Sequence, residues 1–377
     1  MAPLPASSAQ GASSDPGTVV AALHAAEAGL VYVSDSVPGI SRRRASKSFS
    51  YRAPDGSVVR DPETLARILA LAIPPAYADV WICRNMRGHL QATGRDARGR
   101  KQYRYHAQWS EVRGDGKFER IVAFGQALPR LRRRLRSDLA LRGYPRDKVL
   151  AIVVMVMAET LVRVGNSSYA RDNKSFGLTT LRNRHAEFVR GGRARLHFNG
   201  KGGLAHDIEI DDQRLVKLIR DVQQLPGQAL FQYRDDDGSV QPVDSGEVNA
   251  YLGAAMGESF TAKDFRTWGG TLAAFQRLGS LPLPEDASER ALLQLQNAVI
   301  AEVASALGNT VAVCRKAYID PCVFSGWRDG RVNRMASAAR GERQWEQACL
   351  KFLAHAHRSQ GKVVGRAKKR KASALAT

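Results

Sequence analysis

The feature that most constrains the fold is a largely apolar stretch at residues 148–164, near the middle of the chain. Its composition predicts a helix, and Gly165-Asn166 predict where that helix ends. The stretch falls short of the roughly 20 uninterrupted apolar residues of a membrane span, and it contains Glu159 and Arg163. We therefore expect a helix of a globular domain and no membrane partner.

The segments that follow this stretch are mainly helical in pattern. Apolar residues recur at helical spacing in residues 211–225, 263–278 and 288–307. A short helix that begins at Thr310 is expected to carry Tyr318 and to end before Pro321. This half of the chain is therefore predicted to be mostly α-helical.

Strand patterns occur in two places. Residues 195–210 alternate on both sides of Gly200-Lys201-Gly202-Gly203, which predicts a hairpin with these glycines in its turn. Residues 39–106 contain several short strand-like segments and one helix that begins at Asp61. The predicted fold class is therefore α+β, with a small β-rich N-terminal domain and a larger, mainly α-helical domain.

Composition divides the chain into four parts. Residues 1–28 are rich in Ala, Ser, Pro and Gly and are expected to be a disordered tail. The β-rich domain is assigned to residues 29–111 and the helical domain to residues 112–350, with a linker near Gly114-Asp115-Gly116. Residues 351–377 are expected to form a basic disordered tail in which His355 and His357 are solvated.

The charge of the chain points to a polyanionic partner. There are 57 Lys and Arg residues against 36 Asp and Glu residues, a net charge of +21. Nucleic acid is the commonest polyanion that such a protein binds, and an anionic membrane is the competing choice. The four cysteines are scattered and no secretory signal is visible, so we expect reduced thiols and a cytoplasmic protein.

Several catalytic motifs are absent from the sequence. It contains no Gly-x-x-x-x-Gly-Lys-Ser/Thr loop, no zinc deaminase signature and no acidic cluster like that of a two-metal nuclease. An enzyme that cleaves DNA without ATP or metal needs a nucleophile, cations for the phosphate oxygens and an acid for the leaving oxygen. Tyr, Arg and Lys side chains can supply these three functions.

Five short motifs occur in an order that resembles one enzyme family, the type IB DNA topoisomerases of the compact bacterial and poxvirus-like branch. They are Leu161-Val162-Arg163-Val164-Gly165-Asn166, Phe198-Asn199-Gly200-Lys201-Gly202-Gly203, Lys263-Asp264-Phe265-Arg266-Thr267-Trp268, and the last two within residues 307–321. Residues 72–82 and 91–106 of the first domain also resemble this family. The resemblance extends from about Gly39 to about Pro321.

The resemblance implies a role for five residues. Tyr318 corresponds to the nucleophile, Lys201 to the general acid, and Arg163 and Arg266 to the phosphate-binding arginines. Asn309 stands where many family members have a histidine, and an amide can still donate a hydrogen bond to phosphate. The resemblance implies no metal ligand and no required cofactor.

Each motif also has a purely structural interpretation. Arg163 could stabilise a helix end, Lys201 could be a solvated residue of a glycine-rich turn, and Arg266 could pair with Asp264. Tyr318 could be a core tyrosine. The spacing favours the catalytic interpretation, because 38, 65 and 52 residues separate Arg163, Lys201, Arg266 and Tyr318 in that order.

Two segments are expected to contact DNA. The resemblance places the strand near residues 94–106 against the duplex, and a segment near residues 180–185 against phosphates. The expected contact residues are Arg95, Arg98, Arg100, Lys101, Gln102, Tyr103, Tyr105, Arg182 and Arg184. The alternative for the first segment is an edge strand whose charges deter aggregation.

The resemblance implies a function and a partner. The expected activity is relaxation of supercoiled DNA by transient single-strand cleavage through a 3′-phosphotyrosyl intermediate, without ATP or metal. The expected enzyme is a monomeric clamp on double-stranded DNA, associated with the nucleoid. A tyrosine recombinase and a noncatalytic architectural DNA-binding protein are the alternatives.

Overall fold

The computed structural model describes residues 22, 23, 25, 26, 28–45, 48–97, 99, 101–283 and 288–374. Only the backbone is described for residues 110–117, 119, 168, 169, 172 and 360–374. The chain divides into two compact units, Met1–Lys117 and Phe118–Thr377. The division falls six residues after the domain boundary predicted at residue 111, and the domain limits stay a prediction. The predicted N-terminal tail lies mostly outside the described residues.

The first unit is built on an antiparallel sheet with the strand order β2-β1-β3-β4-β5. These strands are Ile40–Ala45 (β1), Ser48–Arg52 (β2), Ala78–Ile82 (β3), Leu90–Arg95 (β4) and Lys101–Tyr105 (β5). Helix α1, Pro62–Ala70, begins at Asp61, whose carboxylate accepts the Thr64 N–H at 2.8 Å. Ile68 of α1 is buried with Ile40, Val80, Ile82 and Ala92 of the sheet, so one apolar face of the helix closes the core.

Helix α2, Ala107–Leu139, runs across the predicted linker at Gly114-Asp115-Gly116. A helix can include those glycines because each costs only about 1 kcal/mol relative to alanine. The predicted linker is therefore helical, and the two compact units divide directly after it, between Lys117 and Phe118.

The second unit is organised around helix α3, Arg146–Thr160. Residues 149–154 of this helix are all almost fully buried, as expected for a helix that is apolar on every side. It contacts α5 (Gln213–Gln223), α6 (Ser245–Met256) and α7 (Ala262–Ser280). The prediction of an apolar core helix is confirmed, although it begins two residues earlier and ends four residues earlier than the sequence indicated.

Other elements of the second unit surround this core. The three-stranded sheet has the order β6-β7-β8 and the small sheet pairs β9 with β10. Their bounds are Ala186–Val189 (β6), Arg193–Asn199 (β7), Ala205–Ile210 (β8), Gln232–Arg234 (β9) and Val240–Pro242 (β10). The short helix α4 is Ser167–Asn173. The hairpin of β7 and β8, with Lys201–Gly203 as a 3₁₀ turn at its tip, confirms the hairpin predicted from alternation.

The C-terminal third is a succession of helices. They are α8 (Glu289–Ala306), α9 (Val311–Ala317), α10 (Pro321–Arg328), α11 (Arg331–Ala336) and α12 (Glu342–Ala374). Within the described ranges no single helix is long and apolar enough to cross a bilayer. By length and composition alone, α8 and α9 pass that test together, and they are bent by 93°.

The start of the predicted C-terminal tail is wrong. Helix α12 continues past residue 351, and Phe352, Leu353 and Ala356 are buried in the core. His355 is exposed as expected, whereas the side chain of His357 is only 20 % exposed. The basic composition of the segment hid the apolar face that anchors its first turns.

The four cysteines, Cys83, Cys314, Cys322 and Cys349, are buried thiols. Burial raises the pKa of the Cys349 thiol well above its usual value.

Candidate active site

Arg163 lies just after the end of α3, where the chain leaves the helix through Leu161 in a left-handed conformation, with φ of +52°. Its backbone carbonyl accepts the Leu178 N–H at 2.9 Å. Its guanidinium donates to the Gly308 carbonyl at 3.2 and 3.3 Å and to Asn309 Oδ1 at 2.6 Å. Arg163 is thereby fixed to the loop that follows α8.

Arg266 lies in α7 and approaches the same loop from another side. Its side chain is buried, and it donates to the Leu307 carbonyl at 2.7 Å and to the Leu161 carbonyl. The alternative pairing with Asp264 is not formed, because Asp264 accepts the N–H and hydroxyl of Thr261 as part of a capping box. Arg266 Nε is buried without a hydrogen-bond partner among the described residues.

The two guanidiniums influence each other. Burial lowers the pKa of Arg266, the charge of Arg163 lowers it further, and Tyr318 partly offsets both effects. Burial also lowers the pKa of Arg163. Arginine remains protonated in proteins despite such shifts, so two positive charges share one partly enclosed site.

Tyr318 stands at the C-terminal end of α9, immediately after its last helical residue. The Arg266 guanidinium carbon lies 5.1 Å from the centroid of the Tyr318 ring. Thr271 Oγ1 donates to the Tyr318 carbonyl at 3.3 Å and accepts the Asp320 N–H at 3.1 Å. A Cβ on Gly270 would lie 2.6 Å from the Tyr318 carbonyl oxygen, so α7 packs closely against this segment.

Asn309 completes the cluster through its side-chain amide. Its oxygen accepts from Arg163, and its nitrogen donates to the Leu307 carbonyl at 3.3 Å. The structure therefore brings Arg163, Arg266, Asn309 and Tyr318 together, although 155 residues (318 − 163) separate the first from the last along the chain.

Lys201 lies at the exposed tip of the β7–β8 hairpin. The end of the hairpin next to this turn reaches the Arg163 site, because Leu204 and His206 pack against Gly308. Sequence analysis did not identify His206 or Thr271. The β7–β8 ladder pairs His206 with Phe198. The contact between His206 and Gly308 joins segments that are distant along the chain, so the local sequence carries no signal of it.

A second polar group follows Tyr318 in the chain. Asp320 is buried, and its Oδ2 lies 2.8 Å from Nε2 of His357 in α12. Its Oδ1 accepts the Cys322 N–H at 2.9 Å, which caps α10. Possible ligand atoms of Asp320, Cys322 and His357 lie within 4.8 Å of one another. Both carboxylate oxygens of Asp320 already take part in hydrogen bonds within the protein, so the grouping has a structural explanation.

The first expected DNA-contact segment forms an exposed face of β5. Tyr103 and Tyr105 are 48 % and 38 % exposed and their rings stack at 6.1 Å. Lys101 lies on the same face, and its Nζ is 2.5 Å from Asp35 Oδ2. Burial raises the pKa of Asp35, but hydrogen bonds from Lys101 and Thr93 more than offset this and lower the pKa overall.

The remaining expected contact residues are less uniform. Arg95 is exposed, donates to the Gly99 carbonyl at 2.9 Å and lies 3.6 Å from Asp79. Gln102 donates to Asp96 at 2.9 Å on the opposite face of β5. Arg98 and Arg100 lie outside the described residues.

In the second unit, Arg182 and Arg184 are both exposed around the 3₁₀ turn Asn183–His185. The Arg182 guanidinium carbon lies 5.9 Å from the centroid of the Phe176 ring. These two arginines are available to an anionic partner on the surface of this unit.

Comparisons with known proteins match this arrangement. Residues 106–322 match the family model described as the catalytic core of eukaryotic DNA topoisomerase I. Residues 48–96 match the model of the N-terminal domain of bacterial DNA topoisomerase IB. The first match includes the whole arginine–tyrosine cluster, and the second includes β2, β3 and β4 of the sheet in the first unit.

Individual viral DNA topoisomerases are also similar to this chain. The DNA topoisomerase 1B of Acanthamoeba polyphaga mimivirus is 33 % identical over 74 % of this chain and 85 % of its own length. The DNA topoisomerase 1B of Vaccinia virus (strain Copenhagen) is 22 % identical over 63 % of this chain and 72 % of its own length. The DNA topoisomerase 1 of rabbit fibroma virus is 22 % identical over 72 % and 87 %.

The chain belongs to the type IB DNA topoisomerases. It is an enzyme that relaxes DNA by the type IB mechanism, in agreement with the function and the α+β fold predicted from the sequence. The alternatives of a tyrosine recombinase and a noncatalytic architectural protein are therefore set aside.

Proposed function

We propose that Tyr318 is the nucleophile of DNA relaxation and that Arg163, Arg266 and Asn309 bind the scissile phosphate. The proximity of these four side chains supports the proposal most directly. Tyr318 attacks the phosphorus, the bond to the 5′ oxygen breaks, and a 3′-phosphotyrosyl bond forms. The 5′ hydroxyl later attacks the same phosphorus, the bond to the Tyr318 oxygen breaks, and the phosphodiester is restored with Tyr318 released.

The arginines are suited to stabilise the transition state. Their guanidiniums are held by carbonyl groups at residues 161, 307 and 308, so little reorganisation is needed when phosphate charge develops. Arg266 Nε is a buried donor that the protein itself leaves without a partner among the described residues. A phosphate oxygen can accept from such a donor.

We assign Lys201 as the general acid that protonates the leaving 5′ oxygen and, in the reverse step, as the base. Its position at a hairpin tip beside the site leaves it accessible to a bound strand. A positioned proton donor contributes on the order of 10²–10⁴ in rate.

We propose that relaxation requires neither ATP nor a metal ion. The phosphotyrosyl bond conserves the energy of the broken phosphodiester, so rejoining needs no other source. Side chains of the protein take the proposed roles of nucleophile, phosphate binding and proton transfer, so no role is left for a metal ion in this proposal.

We further propose that the enzyme binds duplex DNA as a monomeric clamp in the cytoplasm, associated with the nucleoid. The net charge of +21 supports a polyanionic partner. The exposed face of β5 and the exposed Arg182 and Arg184 are the proposed contact surfaces.

The test is relaxation of negatively supercoiled plasmid in excess chelator without ATP. The wild-type protein is expected to relax the plasmid, whereas Tyr318→Phe, which lacks only the hydroxyl, is expected to bind DNA and leave it supercoiled. Relaxation by Tyr318→Phe would remove the nucleophile assignment, and dependence on ATP or a metal would contradict the cofactor proposal.

A further inference from the structure

The hairpin that carries Lys201 must be held in register with the phosphate site for the lysine to act as an acid. Lys201 itself is exposed, and its turn contains Gly200, Gly202 and Gly203. Such a turn has little intrinsic rigidity, because glycine restricts the backbone least. Contacts beside the turn must therefore determine where the tip of the hairpin lies.

His206 lies directly beside the turn, in the second residue pair of the ladder counted from the tip. It pairs with Phe198 across the β7–β8 ladder, and the two rings stack with centroids 4.9 Å apart and an interplanar angle of 13°. Phe198 is buried in the main core, so one face of the imidazole rests on a fixed surface.

Two glycines provide the space for the edges of the imidazole. A Cβ on Gly200 would lie 2.5 Å from His206 Nε2, and a Cβ on Gly308 would lie 2.5 Å from His206 Cε1. Any other residue at either position would collide with the ring. Gly308 is also left-handed, with φ of +57°, which independently favours glycine.

Gly308 connects this contact to the catalytic cluster. Its carbonyl accepts both hydrogen bonds from the Arg163 guanidinium, and the next residue is Asn309. The Nε2 end of the His206 ring thus packs against both segments: Nε2 and Cδ2 face Gly200 of the Lys201 turn, and Cε1 and Nε2 face Gly308 of the loop before Asn309.

The ring is suited to this position as a neutral group. Burial lowers the pKa of His206, and the charges of Arg163 and Arg266 lower it further. A protonated ring would add a third cation beside the two arginines, whereas a neutral ring can pack against them at neutral pH.

We propose that His206 is a positioning residue for the general acid: its ring, wedged between Gly200 and Gly308, seats the Lys201 hairpin on the Asn309 loop. The inference rests on the proposed roles of Lys201 and Tyr318. It goes beyond them by assigning the placement of the acid to a residue outside the motifs.

The test uses an oligonucleotide duplex in which sulfur replaces the 5′ bridging oxygen at the cleavage site. In this substrate the Tyr318 oxygen bonds to phosphorus while the phosphorus–sulfur bond breaks, and sulfur leaves with the electron pair as a thiolate. The thiol of cysteine has a pKa of about 8.5, far below that of an alcohol. A sulfur leaving group of this kind therefore needs no acid. Loss of the acid should therefore slow cleavage of the oxygen substrate only.

We expect His206→Ala to slow single-turnover cleavage of the oxygen substrate by about 10- to 100-fold, part of the effect of a general acid. DNA affinity should be unchanged, and the sulfur substrate should be cleaved at nearly the wild-type rate. Lys201→Ala, measured in parallel, should show the same selective rescue. His197→Ala, an exposed histidine on the same hairpin, is the matched control and should cleave both substrates normally.

Gly200→Ala provides a second variant if His206→Ala folds poorly. Gly200 has φ of −91°, so alanine introduces a collision with His206 without a left-handed backbone. It should reproduce the slow oxygen cleavage and the sulfur rescue.

The outcomes separate the two levels of the proposal. If sulfur fails to rescue Lys201→Ala, the acid assignment is wrong and the His206 inference is lost with it. If sulfur rescues Lys201→Ala but neither His206→Ala nor Gly200→Ala, or if His206→Ala cleaves the oxygen substrate normally, only the positioning role of His206 is overturned.

Discussion

At the scale of single residues, the two arginines of the proposed phosphate site are held by neutral oxygens. Arg163 and Arg266 donate hydrogen bonds to three main-chain carbonyls and to the Asn309 amide oxygen. Neither forms a salt bridge with an acidic side chain among the described residues. The arrangement fixes their geometry while leaving their charges uncompensated, which suits a site for an anion.

The residue types of this site could be predicted from the sequence, but their anchoring could not. Motif order singled out Arg163, Arg266 and Tyr318, because their flanking residues are distinctive. The carbonyls that hold the arginines belong to residues 105 and 145 positions away from them in two of the bonds. Such contacts depend on tertiary packing and leave no pattern in the local sequence.

Asn309 provides a test at this scale. Asn309→Ala removes the acceptor of the 2.6 Å hydrogen bond from Arg163 and the amide proposed to contact phosphate. We expect cleavage to slow by about 10²–10³, equivalent to about 2.7–4 kcal/mol, as for other donors that stabilise a developing anion. Single-turnover cleavage of an oligonucleotide measures the effect.

The matched control is Asn297→Ala, which removes an exposed asparagine that accepts from Arg315 outside the site. This control should cleave at the wild-type rate. An equal loss of rate in both variants would argue that Asn309 has no special role in the reaction.

Lys101 provides a second test, because its ion pair with Asp35 competes with any phosphate. Asp35→Asn should release Lys101, strengthen DNA binding and steepen the plot of log affinity against log salt concentration by about 0.9 for one added phosphate contact. Equilibrium binding to a short duplex at several salt concentrations measures both quantities.

Asp55→Asn is the control for this variant, since Asp55 is exposed and bonds to Ser57 instead of a cation. It changes the net charge equally. If Asp55→Asn and Asp35→Asn give the same slope, the β5 face does not bind phosphate through Lys101.

At the scale of elements, the sequence predicts the helices and strands that have a clear apolar periodicity. It misses helical segments whose composition is dominated by basic residues or glycine. The helices α3, α5, α7 and α8 and the β7–β8 hairpin occur where apolar spacing placed them. Helix α12 was misread because basic residues dominate its later part, while Phe352 and Leu353 pack on the core. The glycines near residue 115 predict a linker, because glycine is common in loops. Local composition does not reveal that a helix continues through them.

The His357–Asp320 pair tests how α12 supports the segment that follows Tyr318. Asp320 is 1 % exposed and follows Tyr318 by two residues, and its partner is His357. His357→Ala should lower the free energy of unfolding by about 1–3 kcal/mol, because a buried carboxylate oxygen loses its hydrogen bond. Urea denaturation measures the change.

His355→Ala is the matched control, because His355 is exposed on the same helix. Its effect should stay within about 0.5 kcal/mol, as for most surface substitutions. Equal destabilisation by both variants would show that the pair with Asp320 contributes nothing specific.

At the scale of the whole molecule, charge and chemistry have a common explanation. The excess of 21 positive charges attracts a polyanion without choosing a sequence. The two units match separate topoisomerase domain models, which accounts for why β-rich and helical patterns are segregated along the chain. The excess of positive charge alone does not distinguish an enzyme from an architectural protein. The arginine–tyrosine cluster and the family match make that distinction.

The central claim is that Tyr318 becomes covalently joined to the 3′ side of the broken strand. Mass spectrometry of the detergent-trapped complex after nuclease and trypsin treatment tests it directly. We expect the nucleotide remnant, linked through its 3′ phosphate, on the tryptic peptide of residues 317–328, where Tyr318 is the only tyrosine. A remnant on another peptide, or one linked through a 5′ phosphate, would contradict the account.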